Sequence, residues 1–295
     1  MKNAFITFWG CRGSIATPGR STERYGGNTS CICLKYDNAY YIFDAGTGIR
    51  GLGVELMDFV EDHYDGEPIE LNIFLSHTHW DHIQGLPFFQ PAYDSRFKLN
   101  IYGSENQDEM LEKTLSGQMN SVYFPVPMSQ LNADLNVHVD LHAIDIHGVK
   151  ISSTDQDHPG GSTAFKTTLD KDRTFVYATD NELDLQFNSD GTPKNKMGQR
   201  YFNFISAVDY LIADGQYTDE EYLDKVGWGH TSLSLIHKVA YAAGVKNLVI
   251  YHHDPMHTDS ILEDLSHKYM QQYESLTPAM QVIWAREGLT IPLRS

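Results

Sequence analysis

Three imidazoles and one carboxylate fall within six consecutive residues in the run Leu75-Ser76-His77-Thr78-His79-Trp80-Asp81-His82. Imidazole nitrogen and carboxylate oxygen are ligands for zinc, manganese and iron. On an extended loop the two-residue step from His77 to His79 points both rings to one side. A helical start just beyond would turn Asp81 and His82 toward a neighbouring position, so two metal ions could share one loop. A solvated polar turn is the plain alternative. The order HxHxDH directly after the apolar run IELNIFL weighs against it.

That apolar run is one of a series of strand-like segments. Alternation or short apolar runs predict strands near 3–9, 31–36, 39–44, 69–75, 97–102, 137–144, 147–152, 163–169, 173–179, 207–213 and 246–251. Helical periodicity appears near 48–61, 105–115, 218–225, 231–243 and 258–274. Turn signals separate the strands at Tyr36-Asp37-Asn38-Ala39, at His147-Gly148 and at Asp170-Lys171-Asp172-Arg173, the last with the look of a hairpin. Sheets and helices interleave with no Pro/Gly/Ser linker, so a single domain over 1–295 is expected, with the polar stretch 184–200 as a surface insertion. No solenoid-type repeat is visible. The opening MKNAFITFW alternates like a strand and lacks the apolar core of a secretory signal.

With its HTHWDH motif the sequence resembles the metallo-β-lactamase superfamily. Downstream, in the superfamily's order, come His158 in QDHPGG, Asp180 in YATDNE and His252 in LVIYHHDP, each after a strand-like run. The resemblance spans residues 3 to about 257 and implies an α/β fold, the αββα sandwich of the metallo-β-lactamases. It further implies that His77, His79 and His158 hold one metal, that Asp81, His82 and His252 hold the other, and that Asp180 bridges them. A bridging carboxylate brings two cations to roughly 3.5–4 Å while offsetting their repulsion, and a shared water has its pKa lowered toward about 7. Two divalent ions are therefore expected, zinc first and manganese or iron as alternatives. His253 competes with His252, but adjacent strand residues face opposite sides and the superfamily pattern selects His252. The other histidines, His63, His138, His142, His147, His237, His257 and His267, are read as surface or structural.

Within the superfamily, the segment Leu211-Ile212-Ala213-Asp214-Gly215-Gln216-Tyr217, followed by Gly227-Trp228-Gly229-His230-Thr231-Ser232, looks like the tRNase Z and phosphodiesterase branch. His230 and Asp214 become candidates for a catalytic acid pair, with His230 protonating the leaving oxygen and Asp214 orienting it. Asp81 counts as a catalytic group as well as a ligand. A helix-start histidine and a strand-end polar residue are the plain alternative for the pair. Two weaker substrate candidates remain. Arg12 in the glycine-rich loop GCRGSIATPG could hold a phosphate, and Tyr123 and Phe124 in MNSVYFPVPM could stack on a base, with a tight turn and loop packing as the alternatives.

Charge narrows the substrate. There are 22 Lys and Arg against 39 Asp and Glu, a net charge of −17, which argues against a basic groove for long nucleic acid. No RNA-clamping arm is evident. A small phosphodiester, such as a cyclic nucleotide, is the expected substrate. tRNase Z-like RNA 3′-processing, thioester or acyl hydrolysis, and a non-catalytic regulatory metal module are the alternatives. No apolar run approaches the roughly 20 residues that span a bilayer, so no membrane association is expected. Three cysteines, Cys11, Cys31 and Cys33, are too few for a disulfide framework and point to a reducing, cytoplasmic setting. A homodimer is left open.

Overall fold

Ala4, Ile6, Phe8 and Gly10 are buried while Phe5 is exposed, and this two-residue rhythm makes Ala4–Gly10 the first strand, β1. The computed structural model describes residues 4–37, 39–104, 111–139, 141, 143–170, 173–273 and 279–293. The chain folds as two units, one from Met1–Ala16, Asn28–Leu141 and Arg286–Arg294, the other from Thr17–Gly27 and His142–Ala285.

The first unit holds β1, β2 (Cys31–Tyr36), β3 (Ala39–Phe43), α1 (Ile49–His63), β4 (Ile69–Phe74), the single turn α2 (Trp80–Ile83), β5 (Phe97–Tyr102), α3 (Leu111–Gln118) and β6 (Asp134–His138). Its last strand, β14 (Thr290–Pro292), comes from the end of the chain. The sheet order is β14-β1-β2-β3-β4-β5-β6. Pairings from β14 to β3 are antiparallel, and those from β3 to β6 are parallel. Parallel neighbours need crossover connections, and α1 and α3 supply two of them. α1 buries Ile49, Leu52, Leu56 and Val60, a helical stripe that joins Ile42, Leu71, Ile73, Leu99 and Ile101 in the core of the unit.

The second unit repeats the pattern with β7 (Ile144–Ile146), β8 (Val149–Gln156), β9 (Ser162–Thr168), β10 (Thr174–Ala178), β11 (Tyr210–Asp214), β12 (Asn247–Tyr251) and β13 (Gln281–Trp284) in sequential order. Pairings are antiparallel from β7 to β10 and parallel from β10 to β13. The connecting helices are α4 (Lys196–Ile205), the short α5 (Asp219–Tyr222), α6 (Leu233–Ala242) and α7 (Asp259–Tyr273). α5 starts with a reciprocal cap in which Glu221 N–H donates to Thr218 Oγ1 and Thr218 N–H to a Glu221 carboxylate oxygen.

Several expectations shift. The strand expected over 137–144 is two strands in two sheets, β6 and β7, because the chain passes between units there and Ala143 adopts φ +52°. β13 and β14 are too short for periodicity to mark. Residues 105–110 of one expected helix, the turn residues Asn38, Lys171 and Asp172, and His142 lie outside the described residues. The stretch 184–200 divides: Asn188 to Asp190 are exposed, but Phe187 packs into the core of the second unit with Tyr201, and α4 begins at Lys196 under an Asn195 side-chain cap. Cys31 and Cys33 both face the core of the first unit, and burial pushes the Cys33 thiol up to about 12. All three cysteines are buried free thiols. No helix among the described residues is long and apolar enough to cross a membrane.

Candidate active site

In both units the chemistry-bearing residues gather past the carboxyl ends of strands, where parallel sheets expose their loops. In the first unit β3 and β4 run parallel with Phe43 opposite Phe74, so Asp44 and the Leu75–His82 segment leave the sheet at the same edge. Asp44 N–H donates to Phe74 O at 2.9 Å. The His77 ring lies 4.5 Å from that of His79 and 4.2 Å from that of His82, centroid to centroid. His77, Asp81 and His82 are buried, while His79 is exposed.

Asp44, completely buried, organises this cluster. It accepts from Ser76 N–H (2.7 Å), Ser76 O–H (2.8 Å) and His82 Nδ1–H (2.6 Å). A carboxylate on Nδ1 makes Nε2 the lone-pair nitrogen of His82, the arrangement that raises ligand basicity. The Ser76 hydroxyl lies 3.1 Å from His77 Nδ1 and passes the same carboxylate's influence to that ring. Asp81 Oδ2 is 3.2 Å from His82 Nε2 and accepts from Ser14 N–H at 2.7 Å. The glycine-rich N-terminal loop thus directs a backbone N–H at the Asp81 carboxylate. Gly46 is required here, since a Cβ would lie 2.3 Å from Asp81 O.

In the second unit Asp180 has its two oxygens turned to different imidazoles: Oδ2 is 3.6 Å from His158 Nε2 and Oδ1 is 3.2 Å from His252 Nε2. Each ring is oriented from behind. His158 Nδ1–H donates to Gly229 O (2.9 Å), and His252 Nδ1–H to Gln216 Oε1 (2.8 Å). His230 Nδ1–H donates to Asp214 Oδ2 at 2.6 Å. The His230 ring stacks on His252 at 5.1 Å and meets His158 edge-on at 5.3 Å. Asp180, Asp214, His230 and His252 are all buried and each offer a ligand atom within 4.8 Å of the others. Asp44, Asp180 and His252 share positive φ values of 60°, 57° and 58°. Non-glycine residues hold such conformations at a cost of about 1–3 kcal/mol, and they cluster where function demands them.

The loop carrying His230 is tied down by Glu182, a buried residue. Its Oε1 accepts from Tyr222 O–H (2.7 Å) and Gly227 N–H (2.6 Å), and its Oε2 from Gly229 N–H (2.8 Å). Thr231 O–H donates to Asn181 O, and Ser232 donates from N–H and O–H to Asp184. Gly229 has φ +85°, and a Cβ there would lie 2.1 Å from His158 Nδ1. Only glycine lets the backbone approach close enough to hold that ring.

His253 is engaged elsewhere, with Nε2 2.8 Å from Ala285 O and the ring nearly parallel to Trp284. Arg12 is completely buried and bridges in backbone to Thr29, so its guanidinium is withdrawn from solvent and from any diffusing phosphate. Tyr123 and Phe124 line a cleft of the first unit that Thr78 and Trp80 also line. Among the other histidines, His237 is buried against Tyr269 and Tyr273, His257 Nε2 meets Glu221 Oε1 at 2.8 Å, His138 stacks on Tyr102, and His63 contacts Phe59 O. Asp44, Gln216 and Glu182 escaped the sequence reading. Asp44 carried a usable signal, an acid closing the apolar run YYIF just before a glycine-rich turn.

Buried imidazoles with tautomers set by acceptors on Nδ1, together with carboxylates, form a donor set suited to zinc, manganese or iron, and the residues present fit divalent metal ions. The model of the beta-lactamase superfamily domain matches residues 40–253, most of the chain, and the protein belongs to that superfamily as a metal-dependent hydrolase. It is similar to a ribonuclease Z of Thermoplasma acidophilum, 26% identical over 92% of this chain and 94% of the relative. The metallo-beta-lactamase fold protein YhfI from Bacillus subtilis shares the fold, with a TM-score of 0.65 and 17% identity over 99% of this chain and 100% of that one. A diphosphatase from the PhnP family does so with a TM-score of 0.66 and 16% identity over 99% and 98%. The α/β fold expected from the sequence is the metallo-β-lactamase fold.

Proposed function

We propose that the whole chain acts as one hydrolase of small phosphodiesters, such as a cyclic nucleotide, using two divalent ions, zinc first among them. His77, His79 and His158 would hold one ion and Asp81, His82 and His252 the other, with Asp180 between them. The observation that supports this most directly is Asp180, whose two carboxylate oxygens face two different imidazole nitrogens at 3.6 and 3.2 Å. Bound divalent ions supply Lewis acidity toward a phosphoryl oxygen and lower the pKa of water.

The chain's own residues supply the rest. Asp44 and Ser76 keep the imidazoles of the first unit in their tautomers, and Gln216 and Gly229 O do so in the second. His230, held at Nδ1 by Asp214, presents Nε2 as the proton donor to a departing alkoxide. The pair is buried, so its hydrogen bond is little weakened by water. Arg12 receives no part in phosphate binding in this reading.

Ribonuclease Z-like cleavage of RNA is the second reading, favoured by the likeness to the Thermoplasma acidophilum ribonuclease Z across most of both chains. The net charge of −17 weighs against a large RNA as substrate. A direct test loads the pure protein with zinc, manganese or iron and compares kcat/KM, at one ionic strength, on a cyclic mononucleotide, a thioester and a 3′-extended transfer RNA. Faster turnover of the cyclic nucleotide is expected. Efficient RNA trimming without small-diester hydrolysis would replace the first reading with the second, and thioester turnover alone would overturn both.

A further inference from the structure

Trp80 stands between two metal-ligand candidates, His79 and Asp81, yet its side chain is 80% exposed. Phe88 and Tyr123 are 58% and 79% exposed nearby on the same cleft. A folded chain gains by burying such rings, so three of them lining one open cleft need a reason outside folding. The cleft has a volume of about 570 Å³, within the range of pockets that take small organic ligands. All of its lining belongs to the first unit. Its lining includes Thr78, Trp80 and Ile83 of the motif segment, and residues of α3 together with Tyr123 and Phe124.

We propose that this cleft is a nucleobase subsite, in which Trp80, Phe88 and Tyr123 offer ring faces to the base of a nucleotide whose phosphodiester lies at the adjoining HxHxDH loop. The inference rests on the phosphodiesterase reading and adds to it the site that receives the base. Two observations favour a base over a hydrocarbon tail. Phe88 and Phe124 meet edge-to-face at 5.3 Å, which braces Phe88 as a platform for a flat π-system. Gln118 lines the cleft, and its side-chain nitrogen is buried without an acceptor among the described residues. A base edge carries carbonyl oxygens and ring nitrogens that satisfy such a donor, and an alkyl chain carries none. Stacking on aromatic faces is tolerant of base identity, so the subsite selects nucleotides as a class.

The test uses three diesters with one leaving group: thymidine 5′-p-nitrophenyl phosphate, methyl p-nitrophenyl phosphate and hexyl p-nitrophenyl phosphate. The wild-type, metal-loaded protein should prefer the thymidine diester over the methyl diester in kcat/KM. Phe88→Ala and Tyr123→Ala change exposed side chains, and each should cut that preference roughly fivefold or more, as loss of a stacking ring does. An unchanged preference in both variants overturns the subsite. A hexyl diester preferred over thymidine, with the same variants removing that preference, makes the cleft a hydrocarbon site and also overturns it. A second arm needs no turnover. Thymidine monophosphate should quench tryptophan fluorescence saturably, with the signal lost in Trp80→Phe and the affinity weakened in Tyr123→Ala. If the wild type hydrolyses none of the diesters, the phosphodiesterase reading falls, and the titration still decides the subsite: saturable quenching sensitive to Tyr123→Ala supports it, and absence of quenching overturns it.

Discussion

The two units assemble their donors in opposite ways. The first takes all four from six consecutive residues, His77 to His82, and steadies His82, and through Ser76 also His77, with one buried carboxylate, Asp44. The second takes three from positions following β8, β10 and β12, separated in the chain by many residues, and steadies His158 and His252 with different partners. A contiguous motif needs only the local chain to bring its ligands together. A dispersed set needs correct strand register, three strand-end backbone turns and a tethered loop, so it has more points of failure.

The largest effect is expected where the dispersed set converges. Asp180→Ala should lose at least one metal and nearly all activity while circular dichroism stays that of the folded chain, because the core of the second unit lies elsewhere. Elemental analysis decides it, and full occupancy of both sites would remove Asp180 from the bridging role. Next comes His230→Ala. It should keep both metals and lose about 10²–10⁴-fold on a cyclic nucleotide, but much less on a nitrophenyl diester whose leaving group departs as a stable anion. Equal losses on the two substrates would mean that His230 positions the phosphate.

A smaller pair of substitutions compares the units directly. Asp44→Ala and Gln216→Ala each remove the acceptor behind one histidine of the proposed ligand set, and behind a metal ligand such changes cost about 10–100-fold in metal affinity or activity. Asp44 serves Ser76 as well as His82, so its loss should sit at the upper end, and Gln216, serving one ring, at the lower. Competition with a chromogenic chelator measures both, and a greater loss for Gln216→Ala would reverse the contrast drawn between the units.

The smallest effect concerns acid. Burial holds the His237 imidazole down, from 6.5 to about 4, beside Tyr269, whose hydroxyl is hydrogen-bonded to Nδ1. The unfolded chain takes up that proton near pH 6.5 and the folded chain only near 4, so stability should fall as pH drops through this window. His237→Gln should flatten the slope. Denaturant midpoints between pH 7 and 4 in the two proteins test it, and parallel slopes would assign the acid sensitivity to other groups.

Legibility follows the same division. The HTHWDH run announced itself because ligand spacing and strand exit are both local properties. His158, Asp180 and His252 were readable only through the superfamily's order; strand alternation says that only one of His252 and His253 faces the site, and the superfamily pattern selects His252. Glu182 and Gln216 gave no signal, since a buried glutamate accepting from Gly227 and Gly229 is invisible until β10 and α5 are neighbours in space. Arg12 looked like an anion ligand in a glycine-rich loop, and only packing shows it enclosed.

By itself the sequence determined the element types, the chemical identity of the donors and the acidic balance, because periodicity, ligand chemistry and charge are carried residue by residue. Tertiary structure alone decided which carboxylate stands behind His82, which carbonyl holds His158, and which aromatic rings stay open beside the motif loop. Those are relations between residues far apart in the chain, set by the shared edge of parallel strands and by the close approach that Gly46 and Gly229 permit.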